Sequence, residues 1–351
     1  MSESATPRVH IVGAGLIGAS VGIGLSADGW AVTIEDVNDE SARVARAIGA
    51  GGVLGDESPE LVVVAAPPSV APAVVQQALR AWADAVVTDV ASVKQPIADA
   101  ATAVDASRYV GSHPMAGREI SGATAAQGDL FKARPWVVCP GQASEHAVSL
   151  VTRVARTLQG DVVVMDAAAH DAAVARVSHA PQVAASAVAA ALGPLRHDDV
   201  ALAGQGLRDV TRIAASHPAM WADIARLNRE SLEVTLDHII GDLEDVREAD
   251  DIGEALTDLM ERGRLEVARI PGKHGGPTRD WVPITVIVPD EPGQLLKLLS
   301  DAAAVGVNVE DITIEHSPRQ PVGLTTLHVL PERAQDLLRA LTSHQWEIAS
   351  P

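Results

Sequence analysis

The stretch "RVHIVGAGLIGASVGIGLSADGWAVTIED" constrains this chain more than any other. A β-rich run, Val9 to Val12, meets glycines at 13, 15 and 18; a helical segment carries apolar residues to Leu25; a second β-rich run, Ala31 to Ile34, ends on Glu35-Asp36. Strand, glycine-rich turn, helix and strand in that order form the unit that cradles a pyrophosphate. Gly13 permits the tight turn, Gly15 lets backbone approach phosphate, and Gly18 lets helix pack on strand. The helix-opening amides, at Leu16 and Ile17, would face the phosphate charge. Asp36 would bond both ribose hydroxyls, and Val37 rather than an arginine follows it. A 2′-phosphate would meet a carboxylate with no cation beside it, so the expected cofactor is NAD.

The alternation continues. "LVVVAAPP" (61–68), "AVVTDVASVK" (85–94), "YVGSHP" (109–114), "WVVCP" (136–140) and "DVVVMD" (161–166) read as strands, most of them separated by helical segments. The pattern predicts a Rossmann-type α/β domain over 1–166, a parallel doubly wound sheet. From Ala167 it changes. Residues 167–192 read as one long Ala-rich helix, 218–249 as a second and 250–270 as a third, with no strand among them. An all-helical domain over 167–270, rich in small residues, suits close packing in a homodimer, and an ordinary bundle would give the same pattern. Residues 271–282 have the composition of a linker. The remainder, 283–351, reads as a smaller α+β domain: strand 283–288, helix 293–304, strands 307–315 and 322–329, helix 332–341, and a fourth strand in the terminal "WEIAS".

Composition narrows the function. A chain of 351 residues calls for two or three domains, and 47% hydrophobic residues exclude a disordered protein. A net charge of -19 repels nucleic acid and anionic membrane. An anionic substrate would need a local cation. Cys139 is the only cysteine, so no internal disulfide can form. The opening "MSESATPR" lacks the apolar run of a secretory signal, and the apolar stretches are too short or too interrupted to span a bilayer. A soluble cytoplasmic protein is the expectation, with no metal.

In a doubly wound sheet, ligands lie beyond the C-terminal strand ends. Ser92 falls just past strand 85–90, and His113 just past 109–112. A histidine there could take a proton from a substrate hydroxyl while hydride leaves the same carbon. The serine would orient the imidazole or bond the hydroxyl. A plain loop histidine would give the same spacing.

Together, "DVASVK", "GSHPMAGREISG", "HDAAVARVSHAPQ", "GLRDVTRIAASHPAMW" and "PGKHG" resemble the prephenate dehydrogenase family, which includes arogenate dehydrogenases. The resemblance covers about residues 8 to 275. "VPDEPGQL" and "GVNVEDI" are similar to an ACT domain, a small module that often binds amino acids. The resemblance implies NAD-dependent oxidative decarboxylation of prephenate to 4-hydroxyphenylpyruvate, or of arogenate to tyrosine. His113 resembles the catalytic histidine, and Ser92 the serine that contacts it and the substrate. Arg212 matches the arginine that binds a substrate carboxylate; independently, a dianion inside so acidic a protein needs a guanidinium fork. Arg208 reads as a surface ion pair. Glu119 and Trp221 match positions near the active-site entrance, though Trp221 would serve equally as core. Gln182 stands where relatives often carry a second histidine near the substrate side chain, a departure that leaves prephenate against arogenate open. His170 and His179 read as structural. In the ACT-like part, Asp290, Gly293, Gln294 and Asn308 are where an effector such as tyrosine would bind, and a pairing module without ligand is the other reading. The rival classes are another NAD-linked hydroxy-acid dehydrogenase and a non-catalytic amino-acid sensor built on the dinucleotide fold.

Overall fold

Short Val-, Ile- and Leu-rich runs between Ala-rich stretches bury themselves most simply as strands covered by helices on both faces. The computed structural model describes residues 6–117, 122–270, 281–316 and 321–349. It divides into two compact units, Met1–Gly241 and Asp242–Pro351.

The first unit runs β1 (Arg8–Val12), α1 (Leu16–Ala27), β2 (Ala31–Glu35), α2 (Asp39–Ala47), β3 (Leu61–Val64), α3 (Ala71–Ala81), β4 (Val86–Asp89), α4 (Gln95–Thr102), β5 (Tyr109–Pro114), β6 (Pro135–Cys139), α5 (Glu145–Thr157) and β7 (Asp161–Val164). Among the described residues these strands form one seven-stranded sheet, ordered β2-β1-β3-β4-β5-β6-β7. β1 to β5 are parallel. Every position of β3 and β4 is buried, which is why neither shows a polar alternation. The winding reverses between β1 and β3, so the ligand crevice of this fold lies beside the glycine turn after β1.

The expectation of a fully parallel sheet is corrected. β6 pairs antiparallel with β5, and β7 runs parallel to β6. A parallel return needs a crossover, usually a helix. Between Pro114 and Pro135 the described residues hold only the 3-10 turn Ala123–Ala125. β5 also runs further than 109–112, so His113 is a paired strand residue, opposite Val137, rather than a loop residue past the end.

After β7 come α6 (Ala167–Val174), α7 (Ala180–Ala190), α8 (His197–Val200), α9 (Gln205–Thr211), α10 (Pro218–Leu227) and α11 (Arg229–Glu248). The single helix expected over 167–192 is interrupted by a π turn, Ala175–His179, where the Ala180 N–H bonds the Ala175 carbonyl. Pro181 accounts for it: the ring has no N–H to donate and crowds the carbonyl one turn back, so the backbone widens. The helix expected over 218–249 breaks at Asn228, whose buried side chain is engaged elsewhere.

The second unit continues with α12 (Ile252–Val267), β8 (Val282–Pro289), α13 (Gln294–Ala304), β9 (Asp311–His316), β10 (Val322–Val329), α14 (Pro331–Ser343) and β11 (Glu347–Ile348). Its four described strands form an antiparallel sheet ordered β11-β8-β10-β9. β10 alternates buried and half-buried positions, and Leu327 and Val329 pack with Leu298, Leu337 and Leu341 from the helices. β9 starts at Asp311, later than the expected 307, which leaves Asn308 outside the strand. The linker expected over 271–282 lies, apart from Trp281 and Val282, outside the described residues. Among the described residues no helix is long and apolar enough to cross a membrane.

Candidate active site

The turn after β1 is shaped by what its glycines exclude. Gly13 has φ +114°, and a Cβ there would lie 2.4 Å from the Ala65 carbonyl oxygen. A Cβ on Gly18 would lie 2.0 Å from the Gly13 oxygen. Gly15 is different: nothing stands within 4 Å of where its Cβ would be. The space beside Gly15 is open, and α1 begins there with no side-chain cap and no acidic residue in its first turn. The opening amides, at Leu16 and Ile17, are thus left to an anion. Asp36 sits at the end of β2; its carboxylate accepts the Ala14 N–H at 2.7 Å and the Asn38 N–H at 2.8 Å. Those bonds tie the Asp36 carboxylate to the glycine turn. The residues fit a dinucleotide with an unphosphorylated ribose.

The tips of β4 and β5 rest on a buried polar cluster. Lys94 and Asp89 form an ion pair, both fully buried. Tyr109 Oη donates to Asp89 at 2.6 Å, Ala91 N–H donates to the same carboxylate at 2.9 Å, and Lys94 Nζ donates to the Ser112 carbonyl at 2.7 Å. A pair so fully hydrogen-bonded pins the 91–95 turn to the strand carrying His113. Cys139, on the neighbouring strand, is no nucleophile: burial pushes its thiol up to about 12.

His113 Nδ1 lies 2.9 Å from His170 Nε2, and the rings meet edge to face. His170 Nδ1 is 2.8 Å from Asp171 Oδ1. The same carboxylate accepts the Lys94 N–H at 2.7 Å and the Gln95 N–H at 2.8 Å, where α4 begins. Asn228 Nδ2 donates to the Asp171 carbonyl and to His179 Nδ1 at 3.1 Å, and His179 stacks edge-on against Trp221. Burial holds His113 well below the usual histidine range, with the charges of His170, Lys94 and His179 acting in the same direction. Burial likewise holds His179 at about 4, against the pull of Asp171. A neutral imidazole at a strand tip is equipped to accept a proton.

His113 is thus oriented by His170. Ser92, expected to orient the imidazole or bond the substrate hydroxyl, is half-buried and makes no side-chain hydrogen bond among the described residues. His170, expected to be structural, touches the ring of the candidate base directly. Gln182 and Trp221 come together with His179 around a hollow of about 340 Å³. Trp221 Nε1 is buried without an acceptor among the described residues. Gln182 Nε2 donates to the Ile213 carbonyl at 3.0 Å, which fixes the 3-10 turn Arg212–Ala215 to α7. Arg212 is exposed on that turn, and Glu119 lies outside the described residues. In the second unit, Gly293 opens α13 at φ +87°. Gln294 and Asn308 bond the nearby acids Glu291 and Glu310, and the Asp290 N–H bonds the Pro321 carbonyl. Sequence reasoning missed the Lys94–Asp89 pair and Asp171. Their signal was charge within otherwise apolar segments, since buried polar groups are paired.

Residues 22–164 match the family model for the nucleotide-binding domain of prephenate dehydrogenase, and residues 166–261 match that for its dimerization domain. A probable prephenate dehydrogenase of Streptomyces niveus is 33% identical over 356 residues, 96% of this chain and 98% of that protein. The prephenate dehydrogenase of Bacillus subtilis is 29% identical over 329 residues, 87% of each chain. The structure is similar to the crystal structure of prephenate dehydrogenase from A. aeolicus in complex with hydroxyphenyl propionate and NAD+. That likeness has a TM-score of 0.66 at 28% identity and covers 76% of this chain and 100% of that one.

Proposed function

The chain belongs to the prephenate dehydrogenase family, and from that premise we propose that it carries out NAD-dependent oxidative decarboxylation of prephenate to 4-hydroxyphenylpyruvate. The observation that carries this reading is His113, desolvated and held neutral at the tip of β5, in the same sheet as the glycine cradle after β1.

Gly13, Gly15, Leu16, Ile17 and Gly18 would hold the NAD pyrophosphate, and Asp36 the adenosine ribose. NAD supplies the hydride acceptor. The protein's own part is to position the ring and to handle one proton. His113 accepts the proton of the ring hydroxyl. When the ring carboxylate leaves as carbon dioxide, its electron pair enters the ring, and the same oxygen takes the proton back as a phenol. Ser92, with no partner of its own among the described residues, is free to bond the hydroxyl. Arg212 would bind a substrate carboxylate, and Glu119 would lie by the entrance. Gln182 and the Trp221 indole N–H, lining the hollow beside His179, would meet the side-chain end.

The organisation proposed is a dinucleotide domain over 1–166, a helical domain over 167–270 that pairs two copies, a linker over 271–282 and a regulatory module over 283–351. Exposed apolar residues on the late helices, Val234, Ile240, Leu256 and Met260 among them, support the pairing. The βαββαβ order and antiparallel sheet of the last part support an ACT-like module. Asp290, Gly293, Gln294 and Asn308 would bind tyrosine there as a feedback effector. The setting proposed is the cytoplasm, as a homodimer.

The test is the rise of NADH absorbance with prephenate and with arogenate, each with NAD and with NADP. The reading requires reduction of NAD with prephenate. Turnover of arogenate alone would move the substrate to the amino acid, and turnover of neither would remove the enzyme reading.

A further inference from the structure

We propose that His170 and Asp171 are positioning residues that set which nitrogen of His113 carries the proton, leaving Nε2 bare for the substrate hydroxyl. The proposal rests on the reading of His113 as the proton acceptor and adds the reason why that histidine is in the right form.

Donors and acceptors along the row Asp171, His170 and His113 fix where each proton sits. Asp171 receives N–H groups on both oxygens, Lys94 N on Oδ1 and Gln95 N on Oδ2, at the N-terminus of α4. A carboxylate so placed acts as acceptor, and the helix end favours its charge. The 2.8 Å contact between Asp171 Oδ1 and His170 Nδ1 therefore needs the proton on His170 Nδ1. A neutral ring with a proton on Nδ1 has a lone pair on Nε2. The 2.9 Å contact with His113 then needs His113 Nδ1 as the donor. A neutral His113 that donates from Nδ1 has its lone pair on Nε2. Each hydrogen bond fixes the next, and the chain begins at a group buried to 4% exposure. Without it, His113 would distribute its proton over both nitrogens, and the fraction carrying it on Nε2 could not accept a second one.

Asp171 does a second thing with the same carboxylate. Lys94 and Gln95 open α4, and Ser92 lies on the turn before them. One buried side chain thus holds the turn of Ser92 and, through His170, the ring of His113. Oδ1 accepts both the Lys94 N–H and the His170 N–H, so Asp171→Asn with its oxygen at that position keeps the relay and strands only the Gln95 N–H, whereas Asp171→Ala removes every acceptor. Without that acceptor the His170 proton is free to sit on Nε2, and that of His113 with it.

The experiment reads the tautomer directly. Histidine 15N and 13C spectra of the full-length protein near neutral pH, assigned with His113→Asn and His170→Gln, should show His113 protonated on Nδ1 and bare on Nε2. The proton on Nε2, or a doubly protonated His170, would overturn the proposal whatever the substrate proves to be. With the substrate established, Asp171→Asn should keep kcat within about tenfold of the parent, while Asp171→Ala should lower it by about 10²-fold or more with KM and NAD affinity moving by about threefold or less, as loss of the right tautomer does in other relays. His170→Gln, whose amide can accept from His113 and donate to Asp171, should retain activity that His170→Leu loses by about 10²-fold. Equal losses in the Gln and Leu variants of His170, or in the Asn and Ala variants of Asp171, would make the pair merely structural and end the proposal. Loss of NADH formation in the parent protein would sink the enzyme reading while leaving the spectra to decide the tautomer.

Discussion

Asp171 closes the start of a helix that lies far from it in sequence: its Oδ2 accepts the Gln95 N–H at 2.8 Å across 76 positions. The bond joins the region after the sheet to the β4–α4 turn. It makes the first helix beyond β7 a working part of the strand-tip site.

Asp171→Ala removes that cap and leaves the Lys94 and Gln95 amides and the His170 N–H without their acceptor. Loss of a cap together with stranded buried donors should cost about 2–4 kcal/mol. Urea unfolding followed by far-UV circular dichroism should show the midpoint falling with the slope unchanged.

The two glycines of the cradle should separate folding from binding. Gly15 has φ -76° and open space around its missing Cβ. Gly15→Ala should therefore fold with stability within about 1 kcal/mol of the parent, yet bind NAD at least about tenfold more weakly, because the methyl occupies room meant for phosphate. Gly18→Ala meets the Gly13 oxygen and should lose both stability and NAD binding. Thermal melts and NAD titration by fluorescence distinguish the two.

Acid should destabilise the fold earlier than its carboxylates alone require. His179 is held at about 4 and His113 is also lowered, so both bind protons more readily once unfolded. A depressed histidine contributes stability that is full above the unfolded value near 6.5 and is lost as pH falls toward the folded value. The unfolding free energy should drop between about pH 6.5 and 4, by on the order of 1 kcal/mol per pH unit. His179→Gln should flatten that slope in chemical unfolding measured across the range.

Arg212→Ala should raise the Michaelis constant for prephenate by about 10- to 100-fold, the value of a charge-assisted contact to a carboxylate. The change in kcat should be smaller, since the bond would be made in ground and transition states alike. Steady-state kinetics at saturating NAD separates the two constants.

Local features of this molecule were legible in the chain, and relations across it were not. Gly13 takes a positive φ and Gly18 packs on the Gly13 oxygen, so their spacing carries the meaning, although the Ala65 carbonyl that Gly13 also meets is remote in sequence. His113 was expected just past a strand end, and the longer β5 places it within the strand, paired with Val137. The mixed sheet was missed although the described residues between Pro114 and Pro135 hold no crossover helix, because β6 taken alone looks like any other buried strand. His170 was read as structural because its partner lies 57 positions away and only the fold brings the rings together. The π turn at Ala175–His179 hid in an Ala-rich run whose helical pattern does not reveal one extra residue in a turn.

The most direct measurement is single-turnover formation of NADH by His113→Asn, with NAD binding measured on the same preparation. The account predicts NAD affinity within about threefold of the parent and a rate lower by about 10²-fold or more, as loss of a general base gives. A rate equal to the parent's, with the cofactor bound as tightly, would contradict it.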